Sequence, residues 1–276
     1  MPFNTLTFHF VTEDGYPPSV HIPLHVLRGI FLNMVADADP ALAAATHDVD
    51  DIPPYATRLH VVGENIYLVV NLFSKQLNDA VKNFILQRDD AHFSIGQVDV
   101  MLVKISLNRV EPGKFLDDAR PVSKFRLQFK SATYFKQRGA IVLYPQPDLL
   151  VHNLAHVWNE LVPDFDHIDE DAIAAWAKLA VRITSYKLQT ISTRLGDSGR
   201  TLTGFTGWAR FKIESQCSNE NDEYYAKTLD RLFLFAEHAN IGGSRTTGFG
   251  AVKYDREQIA EGRHDSSVSN SESRVG

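Results

Sequence analysis

The succession of hydrophobic periods restricts the architecture of this chain more than any other feature. Leu6 to Val11 alternates apolar and polar residues, the two-residue period of a half-buried strand, and stops at the turn signals Asp14-Gly15 and Pro17-Pro18. Pro23 suits a first helical turn, and Leu24, Leu27, Ile30, Phe31 and Val35 then recur at helical spacing as far as Asp39-Pro40. Ala41 to Ala45 predicts a short second helix that delivers His47 into an acidic loop. After the extended Pro53-Pro54, Ala56 to Val62 and Asn65 to Phe73 read as strands joined at Gly63-Glu64. Ser74 is placed to N-cap a helix bearing Leu77, Val81, Phe84 and Ile85, and His92 to Asn108 alternates again. Strand, helix, two strands, helix, strand is the order of the ferredoxin-like unit, which RNA-recognition domains also use.

The second half repeats the order loosely. Phe125 to Phe129 reads as a strand, Asp148 to Leu161 and Asp169 to Leu179 as helical segments, and Ala180 to Leu195 and Thr201 to Ile213 as long strands around Gly196 to Gly199. Asp222 to Glu237 predicts a helix and Val252 to Tyr254 a last strand. The expected fold class is therefore α+β, with tandem ferredoxin-like (RRM-like) domains and a C-terminal Gly-rich loop. Pro112-Gly113 and Pro121 interrupt the pattern, which sets the expected domains at 1–123 and 124–256. The tail 257–276, with Ser266-Ser-Val-Ser-Asn-Ser-Glu-Ser273, has too little apolar content to order itself.

At 276 residues, 44% hydrophobic and 22% charged, the composition is that of an ordinary soluble globular protein. No apolar run approaches membrane-spanning length and the N-terminus lacks a signal-peptide pattern, so a cytoplasmic protein without a membrane partner is expected. Cys217 is the only cysteine, which excludes an intrachain disulfide and a cysteine-held zinc. The net charge of −6 conceals a segregation: Lys104 to Arg138 holds nine basic residues against three acidic ones. A local basic surface of that kind, which includes Arg126, Lys130, Lys136 and Arg138, is compatible with a nucleic-acid ligand or with a solvated face.

The stretch Asn240-Ile-Gly-Gly-Ser-Arg-Thr-Thr-Gly-Phe-Gly250 packs Gly242, Gly243, Gly248 and Gly250 around Ser244, Arg245, Thr246 and Thr247. Glycines let backbone N–H groups approach an anion, which suggests phosphate or nucleic-acid backbone as ligand. The spacing matches neither the dinucleotide fingerprint nor the Walker loop, and taken alone the loop reads slightly better as a plain turn before the last strand.

Four stretches together resemble one family. They are Ala-Thr-His47-Asp with Pro53-Pro-Tyr-Ala-Thr; Phe125-Arg-Leu-Gln-Phe-Lys-Ser131-Ala-Thr133-Tyr-Phe135; Gly204-Phe-Thr-Gly207-Trp; and the loop ending Gly248-Phe-Gly250. In this order they resemble the CRISPR-associated endoribonucleases that process repeats of precursor CRISPR RNA, a family with two ferredoxin-like domains. The chain departs from that family at Asn240, where the loop usually opens with glycine. It also has Phe31 and Leu32 where many members carry a tyrosine in the first helix, and no lysine between His47 and Lys75.

The resemblance implies metal-independent RNA cleavage. The ribose 2′-hydroxyl attacks the adjacent phosphate, giving a 2′,3′-cyclic phosphate and a 5′-hydroxyl, with no cofactor. His47 takes the catalytic role by motif, and Asp48, Asp50 and Asp51 around it suit it to donating a proton. His21 and His25 are competing histidines. Arg28 or Arg58 is the expected replacement for the missing lysine, with Arg245 as a third source of charge. A metal held by His47 and its carboxylates is a weaker reading, and no metal site is expected. Phe8 and Phe10 fit the core better than a stacking role. The expected RNA contacts are Gly242, Gly243, Ser244, Arg245, Thr246 and Gly248 of the loop, with Arg126, Lys130, Lys136 and Arg138. The partners implied are CRISPR precursor RNA, the processed guide RNA and a CRISPR interference complex, the protein being a monomer or homodimer. The alternatives are a repeat-RNA-binding subunit with weak or no catalysis, and a nucleotide-binding enzyme that seats a triphosphate in the loop.

Overall fold

A computed structural model describes residues 2–15, 18, 22, 25–48, 52–88, 91–195, 200–214 and 220–257. Cys217, His21, Asp50, Asp51, Gly196 to Gly199 and the tail after Glu257 lie outside the described residues.

The first unit runs β1 (Phe3–Thr12), α1 (His25–Ala38), α2 (Pro40–His47), β2 (Tyr55–Val62), β3 (Asn65–Leu72), α3 (Lys75–Gln87), β4 (His92–Ile95) and β5 (Val98–Val110). Its antiparallel sheet has the order β2-β3-β1-β5-β4. Four of these strands reproduce the ferredoxin-like order, and β4 is an added edge. Alternation in β1 turns Leu6, Phe8 and Phe10 inward, where they join Leu27, Phe31 and Val35 of α1 and Leu77, Val81 and Phe84 of α3. Phe8 and Phe10 are fully buried, as core residues.

The second unit begins after α4 (Gly113–Asp118). It runs β6 (Lys124–Thr133), the hairpin β7 (Phe135–Gln137) and β8 (Ala140–Val142), α5 (Pro147–Leu161), α6 (Glu170–Ala180), β9 (Val181–Leu195), β10 (Arg200–Ile213), α7 (Glu220–Ala239) and β11 (Val252–Arg256). The sheet order β11-β6-β10-β9 is again ferredoxin-like. Its inner face presents Phe125, Leu127, Phe129, Ala209 and Phe211 to Leu154, Trp158, Leu229, Phe233 and Phe235 of the helices. This core crosses between the units, because Phe3, Phe73 and Val110 of the first belong to it. Phe3 and Phe73 have ring centroids 4.6 Å apart, and Phe73 meets Phe235 edge-on at 5.8 Å.

Three local expectations change. The alternation from His92 to Asn108 is a hairpin, turning at Gly96 with φ +67°. The second helix extends to His47, which therefore ends a helix instead of lying in a loop. Ser74 occupies the N-cap position of α3 but makes no side-chain capping bond.

Candidate catalytic histidine and glycine-rich loop

His47 owes its position to α2. Asp39 caps that helix by accepting from Leu42 N at 2.9 Å, Pro40 enters at its first turn, and Asp48 N donates to the Ala44 carbonyl at 3.1 Å. The His47 side chain is 62% exposed, with Nδ1 2.9 Å from Asp48 Oδ1. A carboxylate only accepts, so Nδ1 carries the hydrogen and Nε2 is left facing outward to exchange a proton. The imidazole stands at the C-terminal end of α2. Of the other expected acidic neighbours, Asp50 and Asp51 lie outside the described residues, as does the competing His21.

Arg28 comes to the same place from α1. Its Nη2 donates to the His47 carbonyl oxygen at 2.7 Å, satisfying a carbonyl that the end of α2 leaves open, while its buried Nε has no hydrogen-bond partner among the described residues. Behind it lies Tyr55, the first residue of β2, whose ring packs on Phe31 at 4.4 Å. Burial raises the Tyr55 pKa above that of an ordinary phenol, and the nearby Arg28 and Arg245 guanidiniums partly offset this. Arg28 and Thr246 approach the hydroxyl, but neither meets it at hydrogen-bonding geometry. Tyr55 lies in the Pro-Pro-Tyr segment of the sequence, yet no local signal marked its hydroxyl as part of the site.

The glycine-rich loop closes onto this corner from the other unit. Asn240 takes a left-handed conformation (φ 59°), one that asparagine tolerates, so the departure from glycine leaves the backbone path intact. Fully buried, it donates from Nδ2 to the Thr57 carbonyl at 3.0 Å and the Arg245 carbonyl at 3.2 Å, and accepts from Arg58 Nε at 2.7 Å. Thr57 Oγ1 donates to the Thr246 carbonyl at 2.9 Å. Gly250 (φ 73°) has no room for a Cβ, which would overlap the Ile241 carbonyl, and a Cβ at Gly243 would enter the Tyr134 ring. Ser244 pairs with the Tyr134 hydroxyl at 2.8 Å. Several of the loop's backbone amides are tied to the rest of the second unit: Gly243 N donates to the Tyr134 carbonyl, Gly250 N to the Ala132 carbonyl, and Gly242 N to Asn153 Oδ1. None of the described bonds uses the amides of Ser244, Arg245 or Thr246.

Two expected cations have different tasks. Arg245 is only 4% exposed; it donates to the Ala239 carbonyl at 2.9 Å and the Pro53 carbonyl at 3.3 Å, and burial pushes its pKa down to about 10. It is a strut from the loop to the chain before β2. Arg58 points away from His47, bonding Asn240 and, at 3.3 Å, the Ala236 carbonyl, with its pKa also lowered by burial to about 10. The geometry therefore gathers His47, Arg28, Tyr55 and the Arg245–Thr246 turn, and leaves Arg58 behind them.

The other basic candidates do not form one cluster. Arg126 lies on the open face of the second sheet, its guanidinium 4.9 Å from the Trp208 ring centroid. Lys130 is exposed farther along β6, near enough to His60 of β2 to help lower that imidazole's pKa. Lys136 and Arg138 sit on the exposed β7–β8 hairpin, with Arg138 left-handed at its turn. Among the described residues no group of three or more histidines, cysteines or carboxylates is arranged to hold a metal, and no helix is long and apolar enough to cross a membrane.

A family model for the CRISPR-associated endoribonuclease Cas6 matches residues 127–252. The chain is 26% identical over 210 residues to a CRISPR-associated endoribonuclease Cas6 of Streptococcus thermophilus, covering 73% of this chain and 80% of that protein. It is 29% identical over 136 residues to a Cas6 of Mycobacterium tuberculosis, covering 49% of this chain and 40% of that one. Among solved structures, a Cas6 product complex shares the fold with a TM-score of 0.74 at 18% identity, covering 92% of this chain and 100% of the other. Thermus thermophilus Cas6 gives a TM-score of 0.70 at 19% identity, covering 92% of this chain and 98% of that one.

Proposed function

We propose that the chain, which is similar to the Cas6 family of CRISPR-associated endoribonucleases, is a member of that family and cleaves CRISPR precursor RNA within its repeats to release guide RNAs. The observation that carries the residue assignment is the Arg28–His47 bond. It joins the Arg28 guanidinium to the backbone carbonyl of His47, whose exposed imidazole stands at the corner where the glycine-rich loop of the second unit meets the first.

In the proposed step the 2′-oxygen forms a bond to the adjacent phosphorus and the bond from phosphorus to the 5′-oxygen breaks, leaving a 2′,3′-cyclic phosphate and a 5′-hydroxyl. The 2′-hydroxyl loses its proton to water at this exposed helix end. Protonated His47 delivers one from Nε2 to the departing 5′-oxygen, a role worth about 10²- to 10⁴-fold in rate. Arg28 is the cation assigned to the crowded phosphate, its guanidinium being held beside His47 by the bond to the His47 carbonyl. The reaction as written uses no metal. The amides of Ser244, Arg245 and Thr246 are the loop groups assigned to the RNA backbone, while the Arg245 side chain holds the loop in place.

The deciding experiment incubates the purified protein with its own repeat RNA in EDTA and identifies the product termini. One cut site with a 2′,3′-cyclic phosphate is the expected result. Tight binding without cleavage would instead support a repeat-binding subunit, and activity that appears only on adding a divalent ion would overturn the metal-independent step.

A further inference from the structure

We propose that the open face of the first sheet is a base-stacking platform for a single-stranded stretch of the same RNA, built on His9 and Tyr67 and separate from the cleavage site. This rests on the RNA-processing reading above and adds a subsite to it.

β1 and β3 are interior strands of their sheet. Their alternate residues Leu6, Phe8, Ile66 and Leu68 are buried under α1 and α3, and the intervening residues form the opposite face. On that face His9 and Tyr67 are direct cross-strand partners, and their rings stack at 4.6 Å with an interplanar angle of 16°. His9 Nε2 lies 2.7 Å from Asn65 Oδ1, which sets the ring's orientation. Neither ring is in the core; both are partly exposed.

The row continues on both sides. His60 of β2 is directly opposite Tyr67, and Lys104 of β5 is directly opposite His9, both exposed. Lys130 approaches from the second sheet, since its charge acts on His60. The result is a line of rings with a cation at each end. None of the residues on this face of β1, β2 and β3, nor Lys104, Ser106 or Asn108 of β5, is acidic.

Stacked rings on the interior strands of a four-stranded core, flanked by cations, are what a single strand of RNA requires. Bases extend the stack through either outer face, and the lysines meet the phosphates. The absence of carboxylates favours a polyanion. Val11, Val62, Val69 and Met101 lie on the same face beside this row, so the stacked rings and the flanking lysines, not the polarity of the face, carry the choice of RNA. His60 lies five residues along β2 from Tyr55, about 17 Å at strand rise, so RNA held here is clear of His47 and contributes affinity, not chemistry.

The test uses the full chain and its own repeat RNA carrying a 2′-deoxy nucleotide at the cut site, which binds without being cleaved. Tyr67→Leu and His9→Leu should each raise Kd about fivefold to a hundredfold, while Tyr67→Phe should bind as the parent does. Cleavage of unmodified RNA at saturation should be unchanged in all three. With the unsubstituted protein, 4-thiouridine placed at successive unpaired positions should cross-link to the peptides containing His9 or Tyr67, a readout independent of how the variants fold. An unaltered Kd in the double Leu variant, or cross-links confined to other peptides, would overturn the platform. If the parent protein neither binds nor cleaves repeat RNA, the RNA-processing reading itself fails; if it cleaves while the variants are indifferent, only the platform does.

Discussion

His47, Asp48 and Arg28 form the smallest unit with chemical meaning, and each should fail in its own way. His47→Ala removes the proposed proton donor, so the single-turnover rate should fall about 10²- to 10⁴-fold while Kd for repeat RNA stays within about twofold; equal losses in rate and affinity would point to a binding role instead. Arg28 reaches the His47 carbonyl as well as its surroundings. Arg28→Ala should therefore lower the rate more than the affinity, and Arg28→Lys should not restore it, because an ammonium cannot bond the carbonyl and present a second donor in the same fork. Rates that Lys restores fully would reduce Arg28 to a simple charge. At this scale the sequence was partly legible. His47 stood out by motif, and Arg28 by being a cation on the first helix. The difference between Arg28 and Arg58 was not legible, because it depends on which way β2 turns its side chains against a helix nearly 180 residues later.

The glycine-rich loop shows the same limit at the scale of an element. Its glycines and its position before the last strand were visible in the sequence, but its network was not. The bond from Thr57 to Thr246 spans 189 residues, and the Asn240 bonds to Thr57 and Arg58 span 183 and 182. No local pattern encodes such partners. Regular elements were legible where one face is buried, as in β1 and α5, since burial imposes the period. The β4–β5 hairpin was hidden because the alternation continues on both sides of Gly96. The buried bonds make the loop a structural joint as much as a binding element. Asn240→Ala loses three hydrogen bonds and places a Cβ residue at φ 59°, and should lower unfolding free energy in urea by about 3 to 5 kcal/mol. Asn240→Gly removes the same bonds without the strain and should recover about 1 kcal/mol. If both variants match the parent, the loop is not the joint described. Arg245→Ala should likewise destabilise the fold, so any weakened RNA binding has to be read beside its melting temperature.

Across the whole molecule, the two ferredoxin-like units are legible as a repeated order of periods, but their union is not. It depends on residues such as Phe3, which lies before the alternation that begins at Leu6 and is in fact part of both β1 and the second unit's core. His238, on α7, marks this union, with its ring 5.4 Å from Phe3 and 5.6 Å from Phe115. Burial first, and then the Arg58 charge, push its pKa down from 6.5 to about 4. The sign of the consequence follows from which state binds the proton. Above pH 6.5 the imidazole is neutral in both states and contributes no pH dependence. As pH falls from 6.5 toward 4 the unfolded chain takes up a proton that the folded chain refuses, so stability is lost through that window and levels off below it. A shift of this size corresponds to about 2 to 3 kcal/mol by pH 4.5. Urea unfolding at pH 7 and pH 4.5 should show that loss in the parent protein beyond what His238→Gln shows. Glutamine does not titrate, so the carboxylates alone would govern the variant's acid response. Parallel pH profiles for the two proteins would mean that His238 is hydrated in solution and that the seam around Phe3 and Phe115 opens more readily than the packing indicates.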